Sequence, residues 1–249
     1  MGIIVKSPRE MEGMRKAGKI TASILDVLRS EVRPGITTGM LDEIAVRELA
    51  RHGAISSFKG YRGFPNSICA SVNEQLVHGI PGERKLEEGD IISIDFASVY
   101  EGFHGDAAFT VGVGEISADA KRLLSTTEGA LKAGISAARE GSHLGDISAA
   151  IQEYIESRGF SVVREYVGHG IGREMHEDPQ IPNFGTPGHG PILKNGMTMA
   201  LEPMVNAGVW WTKVLADQWT VVTADGSLSA HFENTIAIAG DKAEILTPL

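Results

Sequence analysis

Four acidic residues recur at matching positions in the two halves of the sequence, and three of them stand in or beside apolar, strand-like segments where acids are normally rare. The four are Asp95, Asp106, Glu202 and Glu233. Buried carboxylates without partners are costly, and converging carboxylates repel one another. Two divalent cations cancel four negative charges, so the pattern predicts a metal centre. His169 offers a neutral nitrogen ligand, and the glycines on either side of it let the backbone approach closely.

A different metal chemistry is a rival interpretation of the same region. His104 and Asp106 form an H-x-D pattern, which opens the facial triad of non-haem iron oxygenases, with His169 or His189 as the third ligand. This pattern arises easily by chance, and it leaves the two glutamates unexplained. A lone acid in a strand is also more often an edge or surface residue than a ligand. Four acids at duplicated positions, with histidines nearby, favour the carboxylate-rich centre.

Two further motifs carry weaker signals. Residues 168–172 resemble a dinucleotide-binding fingerprint, but their glycines are wrongly spaced for G-x-G-x-x-G and no helical pattern follows them. Cys69 is the only cysteine, and a lone cysteine is more often a small buried apolar residue than a nucleophile. The sequence therefore favours neither a dinucleotide site nor a cysteine enzyme.

The elements that position the acids are themselves repeated. Residues 33–39 match residues 139–145, and each half reads as helix, helix and then several strands. We predict an α+β architecture whose two halves, residues 1–113 and 114–249, pack about a pseudo-two-fold axis. Both halves belong to one domain, residues 1–249.

Local signals predict where several helices begin and end. Ser7 and Glu10 form a capping box, with Pro8 at the first helical position, so the first helix should begin there. The second helix of each half runs up to a glycine, Gly53 or Gly159, which suits a left-handed C-terminal stop.

Composition excludes several classes of protein. The chain has 249 residues, 42% of them hydrophobic, and a formal net charge of -9. This balance makes nucleic acid an improbable principal ligand. The single cysteine excludes an intramolecular disulfide and fits a reducing compartment. No apolar run approaches the roughly 20 residues that span a bilayer, and residues 1–10 lack the features of a signal peptide. We expect a cytoplasmic protein with no membrane association.

The motifs around the acids resemble those of the type I methionine aminopeptidases, over essentially the whole chain. The resemblance rests on the segments Ser93-Ile94-Asp95-Phe96, Gly102-Phe103-His104-Gly105-Asp106, Gly168-His169-Gly170-Ile171-Gly172-Arg173, His176-Glu177-Asp178-Pro179, Glu202-Pro203-Met204 and Phe232-Glu233-Asn234-Thr235. It implies the duplicated pita-bread fold, in which two pseudo-two-fold-related halves carry antiparallel strands flanked by helices. The short spacing between Glu202 and Glu233 leaves little room for the helical insertion of type II enzymes.

The resemblance also implies a role for each matching residue. Asp95 is expected to bind one metal through both oxygens, Asp106 and Glu233 to bridge two metals, and His169 with Glu202 to complete the second coordination sphere. The implied catalytic residues are His78, His176 and Glu202, with Glu202 as general base. The implied lining of the methionine pocket is Tyr61, Phe64, Cys69, Met175 and Trp219. A monovalent cation site maps near Asn73 and Ser229.

Three positions depart from the common family pattern. Ala97 stands where many members have threonine, Met175 where phenylalanine is frequent, and Phe64 where tyrosine is frequent. None of these departures removes a ligand. They concern the shape of the pocket and the tuning of the metals.

The activity implied by the resemblance is removal of the initiator methionine, with a preference for a small second residue. Water activated by two divalent metals (cobalt, manganese, iron or zinc) would attack the peptide bond. The expected partners are peptides and nascent chains with N-terminal methionine, with transient ribosome contact, and the expected state is a monomer. Two alternatives remain: a prolidase-like enzyme, whose family typically has an extra N-terminal domain, and a non-catalytic binding protein, which typically loses ligands.

Overall fold

The computed structural model describes residues 2–249, so Met1, which belongs to the predicted first half and to the stretch 1–10, lies outside it. The four α-helices are α1 (Pro8–Glu31), α2 (Thr38–His52), α3 (Ala118–Ala137) and α4 (Leu144–Glu156). The strands are β1 (Ile55–Ser56), β2 (Cys69–Val72), β3 (Gln75–Val77), β4 (Ile91–Tyr100), β5 (Phe103–Gly112), β6 (Ser161–Val162), β7 (Gly168–Gly170), β8 (Glu177–Ile181), β9 (Thr198–Leu201), β10 (Met204–Asn206), β11 (Thr212–Val214), β12 (Val221–Thr223), β13 (Ser229–His231), β14 (Glu233–Ala239) and β15 (Lys242–Ile245). Within residues 2–249, no helix is both long enough and apolar enough to cross a membrane.

The predicted start of the first helix is confirmed. The Ser7 hydroxyl accepts a hydrogen bond from the Glu10 amide at 3.4 Å, and the Glu10 carboxylate accepts one from the Ser7 amide at 3.0 Å. The predicted stop of α2 is also confirmed, since Gly53 has φ 63°. Gly159 has φ 80°, but α4 already ends at Glu156, and Gly159 closes the following turn by donating to the carbonyl of Glu156.

An antiparallel sheet, to which both halves of the chain contribute strands, forms the centre of the fold. Its strand order is β1-β4-β5-β14-β9-β7-β8, with β2 also paired to β4 and β15 also paired to β14. The pair β4–β5 comes from the first half and the pair β9–β14 from the second, and the two pairs meet where β5 lies beside β14. This arrangement confirms the predicted α+β pita-bread fold with two related halves. The division at Val113-Gly114 falls between β5 and α3 and stays a prediction.

The register of the sheet brings the acids together on one face. Asp95 of β4 and Glu233 of β14 lie on opposite sides of the same residue of β5, Ala108. Cross-strand neighbours point to the same face, and so do residues two apart on one strand, which adds Asp106. Glu202 follows the end of β9, the strand beside β14. The small side chain of Ala108 therefore stands among the acids and leaves space above the sheet.

The opposite face of the sheet is covered by helices. Ile94 and Phe96, which flank Asp95, pack with the buried stripe of α1 in a core beneath the first half. A second core beneath the other half collects apolar residues of α3 and α4. Phe232, next to Glu233, packs against both cores. The acids are thus carried by strands whose other face is held in place by close packing on both sides of the pseudo-two-fold.

A buried ion pair ties the N-terminal segment to the second half. The Lys6 ammonium lies 2.5 Å from the Glu177 carboxylate, with side chains only 4% and 5% exposed, and the Lys6 amide donates to the carbonyl of Gly196. The other oxygen of Glu177 accepts from the amides of Arg173 and Glu174. This network holds the loop that leads to residue 176.

We expect Lys6→Met to destabilise the protein by about 3 kcal/mol, because it leaves the buried Glu177 carboxylate without its cation. Urea unfolding monitored by circular dichroism measures the change. The control is Lys132→Met, which removes a lysine from the exposed pair with Glu128 and should cost less than about 0.5 kcal/mol. Equal losses in the two variants would contradict the prediction.

Candidate metal centre

The predicted acids and His169 form a compact cluster. One potential ligand atom from each of Asp106, His169 and Glu233 lies within 4.8 Å of the others, and all three residues are buried. His169 Nε2 lies 3.6 Å from Glu202 Oε1 and 3.9 Å from Asp106 Oδ2. Asp95 joins them through its register beside Ala108. Residues separated by more than 130 positions in the sequence therefore converge on one point above the sheet.

Several oxygens of this cluster have no hydrogen-bond partner. Within residues 2–249, Asp95 Oδ1, Asp106 Oδ1 and Glu233 Oε1 are buried and unpartnered. Leaving buried polar atoms unsatisfied is costly, and more so for charged groups. Hard or borderline divalent cations bind carboxylate oxygen and imidazole nitrogen. The donor set therefore fits a metal centre, and the unpartnered oxygens are the atoms that metal ions would engage.

Burial raises the pKa values of all four acids, and repulsion raises the pKa values of three of them further. Burial is the main cause at each one, and it raises the pKa of Asp106 to about 7. Charge repulsion from Asp106 adds to the rise in pKa at Asp95, Glu202 and Glu233. Nearby cations have the opposite effect on a carboxyl pKa, because they favour the ionised form. The carboxyl groups of the cluster are therefore stable either in the protonated form or in the ionised form with cations bound to them.

His169 is prepared as a neutral nitrogen ligand. Burial, followed by the neighbouring His176, lowers its pKa to about 3, so the ring is uncharged at neutral pH. Its Nδ1 lies 2.9 Å from the carbonyl oxygen of Gly170, which places the proton on Nδ1 and leaves Nε2 free to face the acids. A side chain at Gly168 would collide with the carbonyl of Ala200. The close backbone approach expected from the sequence is therefore present.

A cavity of about 210 Å³ opens beside the cluster. Its apolar wall is formed by Phe58, Tyr61, Phe64, Cys69, Met175 and Trp219, and its polar floor by the five predicted ligands. Phe64 meets Trp219 edge to face at 5.1 Å between ring centres. Burial and the charge of Asp95 raise the pKa of the Cys69 thiol, which argues against a thiolate nucleophile here.

His78 and His176 line the same cavity. His176 Nδ1 lies 2.9 Å from the Tyr61 hydroxyl, and its ring centre is 4.3 Å from that of His169. Burial and the neighbouring His176 lower the pKa of His78 to about 4, and burial also lowers the pKa of His176. Both rings are therefore neutral at pH 7 and can each donate one hydrogen bond.

Three other residues singled out from the sequence are Asn73, Ser229 and Ala97. The Ser229 amide donates to the carbonyl of Asn73 at 2.9 Å, so these two do meet, while the Asn73 side chain bonds to Asp90 and Ile91. Buried Ala97 packs in the same apolar cluster as Phe64, Cys69 and Met175 but does not line the cavity.

The rival iron triad does not assemble. His104 Nδ1 lies 2.8 Å from the Ser57 hydroxyl, and this histidine is not part of the cavity lining. His189 is exposed and bonds locally to the carbonyl of Pro187. Neither histidine joins the cluster around Asp106.

Three residues at the site were missed by sequence reasoning. Phe58 and Arg62 line the cavity, and no spacing in the sequence distinguishes them. His231 Nε2 lies 3.9 Å from Glu202 Oε2 and 3.8 Å from Glu233 Oε2. A signal for it existed, because His231 stands two residues before Glu233.

The chain is similar in sequence and in fold to metallopeptidases. The profile of metallopeptidase family M24 matches residues 12–239. Methionine aminopeptidase 1 of Bacillus subtilis is 57% identical over 98% of this chain and 99% of its own. The crystal structure of a methionine aminopeptidase from Thermotoga maritima, at 48% identity, superposes with a TM-score of 0.98 over the full length of both chains. A prolidase from Pyrococcus furiosus, at 21% identity, shares only the fold, with a TM-score of 0.80 over 66% of its chain.

We expect Asp106→Asn to stabilise the metal-free protein as the pH rises. An unfolded aspartate titrates near pH 4, whereas the native pKa of Asp106 is raised to about 7. The wild-type native state therefore loses stability as the pH rises through this window, and the loss stays constant above it. The melting temperature of the variant should exceed that of wild type increasingly between pH 5 and pH 8.

Adding manganese should reverse this order, because bound cations stabilise the wild-type native state and the variant lacks one ligand. The control is Asp119→Asn, at an exposed acid of α3, which should change little at any pH. A melting temperature of Asp106→Asn below that of metal-free wild type at pH 8 would contradict the prediction.

Proposed function

The chain belongs to metallopeptidase family M24, and we propose that it is a methionine aminopeptidase, which removes the N-terminal initiator methionine from peptides and nascent proteins. The observation that carries this proposal is the carboxylate and histidine cluster at the floor of an apolar cavity. The cluster supplies ligands for hydrolytic metals, and the cavity offers an apolar slot beside them. The identity to curated methionine aminopeptidases over nearly the whole chain supports the same activity.

Two divalent cations would be held by this chain. Asp95 would hold one ion, His169 and Glu202 would hold the other, and Asp106 and Glu233 would be shared by the two. The charge of four carboxylates supports two ions rather than one. Manganese, iron, cobalt and zinc all suit mixed oxygen and nitrogen ligands. When bound, such a pair lowers the pKa of a water molecule and polarises the scissile carbonyl.

The side chains around the cluster then move protons and hold the substrate. Glu202 is the proposed general base, which accepts a proton from the attacking water and passes it to the leaving amine. His176 donates a hydrogen bond to the scissile carbonyl oxygen, and the Tyr61 hydroxyl on Nδ1 keeps the donating proton on Nε2. His78 is proposed to contact the peptide nitrogen beyond the scissile bond. Its neutral state is supported by its lowered pKa.

The apolar wall of the cavity suits the methionine side chain. Phe64 and Trp219 offer aromatic edges, and thioether sulfur makes favourable contacts with aromatic rings. Buried Met175, in place of the family's frequent phenylalanine, keeps the wall apolar and polarisable. Tyr61 and His176 crowd the mouth, so a small second residue is expected to bind best.

Several wider features belong to the same proposal. We infer a monomer that works in the cytoplasm, with transient contact at the ribosome where nascent chains emerge. The formal net charge of -9 and the single buried cysteine support a reducing location without direct nucleic-acid specificity. A monovalent cation near Asn73 and Ser229 is supported by the meeting of these residues at the backbone.

Peptide cleavage tests the proposed function. We expect Met-Ala-Ser to be cleaved with a kcat/KM roughly a hundredfold above that of Met-Leu-Ser or Met-Lys-Ser, because a bulky second residue displaces the carbonyl from the site and a shift of about 1 Å is that costly. Chelation should abolish the activity, and manganese or cobalt should restore it. Faster cleavage of Ala-Pro-Ser would support a prolidase, and no cleavage by the metal-loaded protein would support a binding protein.

Removing the Tyr61 hydroxyl tests how His176 is oriented. We expect Tyr61→Phe to lower kcat roughly tenfold with a smaller change in KM, because the proton of His176 is no longer directed to Nε2. Steady-state kinetics on Met-Ala-Ser measure both constants. Tyr154→Phe, on α4 and outside the cavity lining, should leave them unchanged. An unaltered kcat in Tyr61→Phe would exclude this role.

A further inference from the structure

His231 is a buried histidine that no step of the proposed mechanism uses. It ends β13, its side chain is 2% exposed, and within the described chain neither ring nitrogen has a hydrogen-bond partner. By contrast, His169 and His176 each direct Nδ1 at an acceptor or hydroxyl. Burying an imidazole without partners is unfavourable, so this side chain calls for an explanation.

The ring of His231 is aimed at the metal centre. Its Nε2 lies 3.9 Å from Glu202 Oε2 and 3.8 Å from Glu233 Oε2. The other oxygen of Glu202 lies 3.6 Å from His169 Nε2. The Glu202 carboxylate therefore stands between two imidazoles, with one ring nearest to each of its oxygens.

The backbone of His231 is fixed in this position. Its amide donates to the Thr110 hydroxyl at 2.9 Å, and the same hydroxyl donates to its carbonyl at 2.7 Å. Across the strands, His231 pairs with Met204. A shift of about 1 Å between the ring and a facing carboxylate brings Nε2 to the usual N–H···O distance of roughly 2.9 Å.

The proton of His231 belongs on Nε2. A neutral imidazole carries one proton, and the groups around the ring decide which nitrogen holds it. The two nearest carboxylate oxygens lie on the Nε2 side, while no acceptor among residues 2–249 bonds Nδ1. A neutral ring whose only N–H faces a carboxylate acts as a donor, and donors behind ligating carboxylates orient the ligand.

We propose that His231 is a positioning residue of the metal centre: its Nε2–H donates to the two carboxylate oxygens that face it, Glu202 Oε2 and Glu233 Oε2, and so holds the other oxygen of Glu202 towards His169. The inference rests on the proposed function in taking Glu202 as a ligand and general base. Glu202 Oε2 then accepts the hydrogen bond from His231, and Glu202 Oε1 remains available to bind a cation or to accept a proton.

Two substitutions of similar size test this role. His231→Gln keeps an N–H donor, whereas His231→Leu removes it. Calorimetric titration of the metal-free proteins with cobalt should show affinity weakened by about 10- to 100-fold in the Leu variant and restored to within about threefold in the Gln variant. The visible absorption spectrum of bound cobalt should change only in the Leu variant. His52→Leu, at the end of α2, is the control and should match wild type in both measurements.

Kinetics separate positioning from general damage to the pocket. In His231→Leu, kcat on Met-Ala-Ser should fall at least tenfold with KM nearly unchanged, and His231→Gln should recover most of the loss. Wild-type cobalt affinity and spectrum in the Leu variant would overturn the proposal, and so would a Gln variant as impaired as the Leu variant. Inactivity of the wild-type enzyme on every peptide would defeat the proposed function, while the order of cobalt affinities would still test His231.

If His231→Leu fails to fold, nitrogen-15 spectra of the wild-type imidazoles decide the question. We expect His231 to carry its proton on Nε2 both in the metal-free protein and with zinc bound. A bare Nε2 whose resonance shifts on zinc binding would make His231 a direct ligand and overturn the proposal.

Discussion

Four carboxylates that repel one another lie on one face of a sheet, and the architecture of the site depends on the packing that holds them together. Burial raises the pKa of each acid, and the charge of Asp106 raises the pKa of the other three further. A sheet without packing on its opposite face would not hold these four acids together. The acids stay in place because the opposite face of their strands is packed into two helical cores bridged by Phe232. The free energy of apolar burial on one side of the sheet thus maintains an electrostatically unfavourable arrangement on the other, which bound cations would relieve.

The strand order places β4 and β5 of the first half beside β14 and β9 of the second, which explains why the site needs both halves. β4 and β5 carry two of the acids, and β9 with β14 positions the other two. The pairs meet at Ala108, whose methyl group leaves room where larger side chains would fill the space. Histidines approach from outside the pairs, with His169 on β7 beside β9. The geometry of the centre is therefore a property of strand register more than of any loop.

Much of this was predictable because it depends on local patterns. The capping box at Ser7 and the glycine stop at Gly53 each leave a signal within a few residues, and the acids leave one because they recur at matching positions of the two halves. His231 was overlooked because its meaning depends on which oxygens it faces, and sequence spacing does not reveal that. Phe58 resembles any core aromatic. The Lys6–Glu177 pair joins residues 171 positions apart, and in the sequence each resembles an ordinary surface charge. Long-range polar pairing is what the sequence conceals.

The attachment of Lys6 to the second half has a consequence for synthesis of the chain. Lys6 is synthesised well before Glu177 and Gly196, yet its ion pair and its backbone contact require both of them. The segment around Lys6 therefore stays without these contacts until Glu177 and Gly196 have been made. Closure of the N-terminal segment is consequently a late event of biogenesis, and it coincides with the arrival of the loop that carries His176.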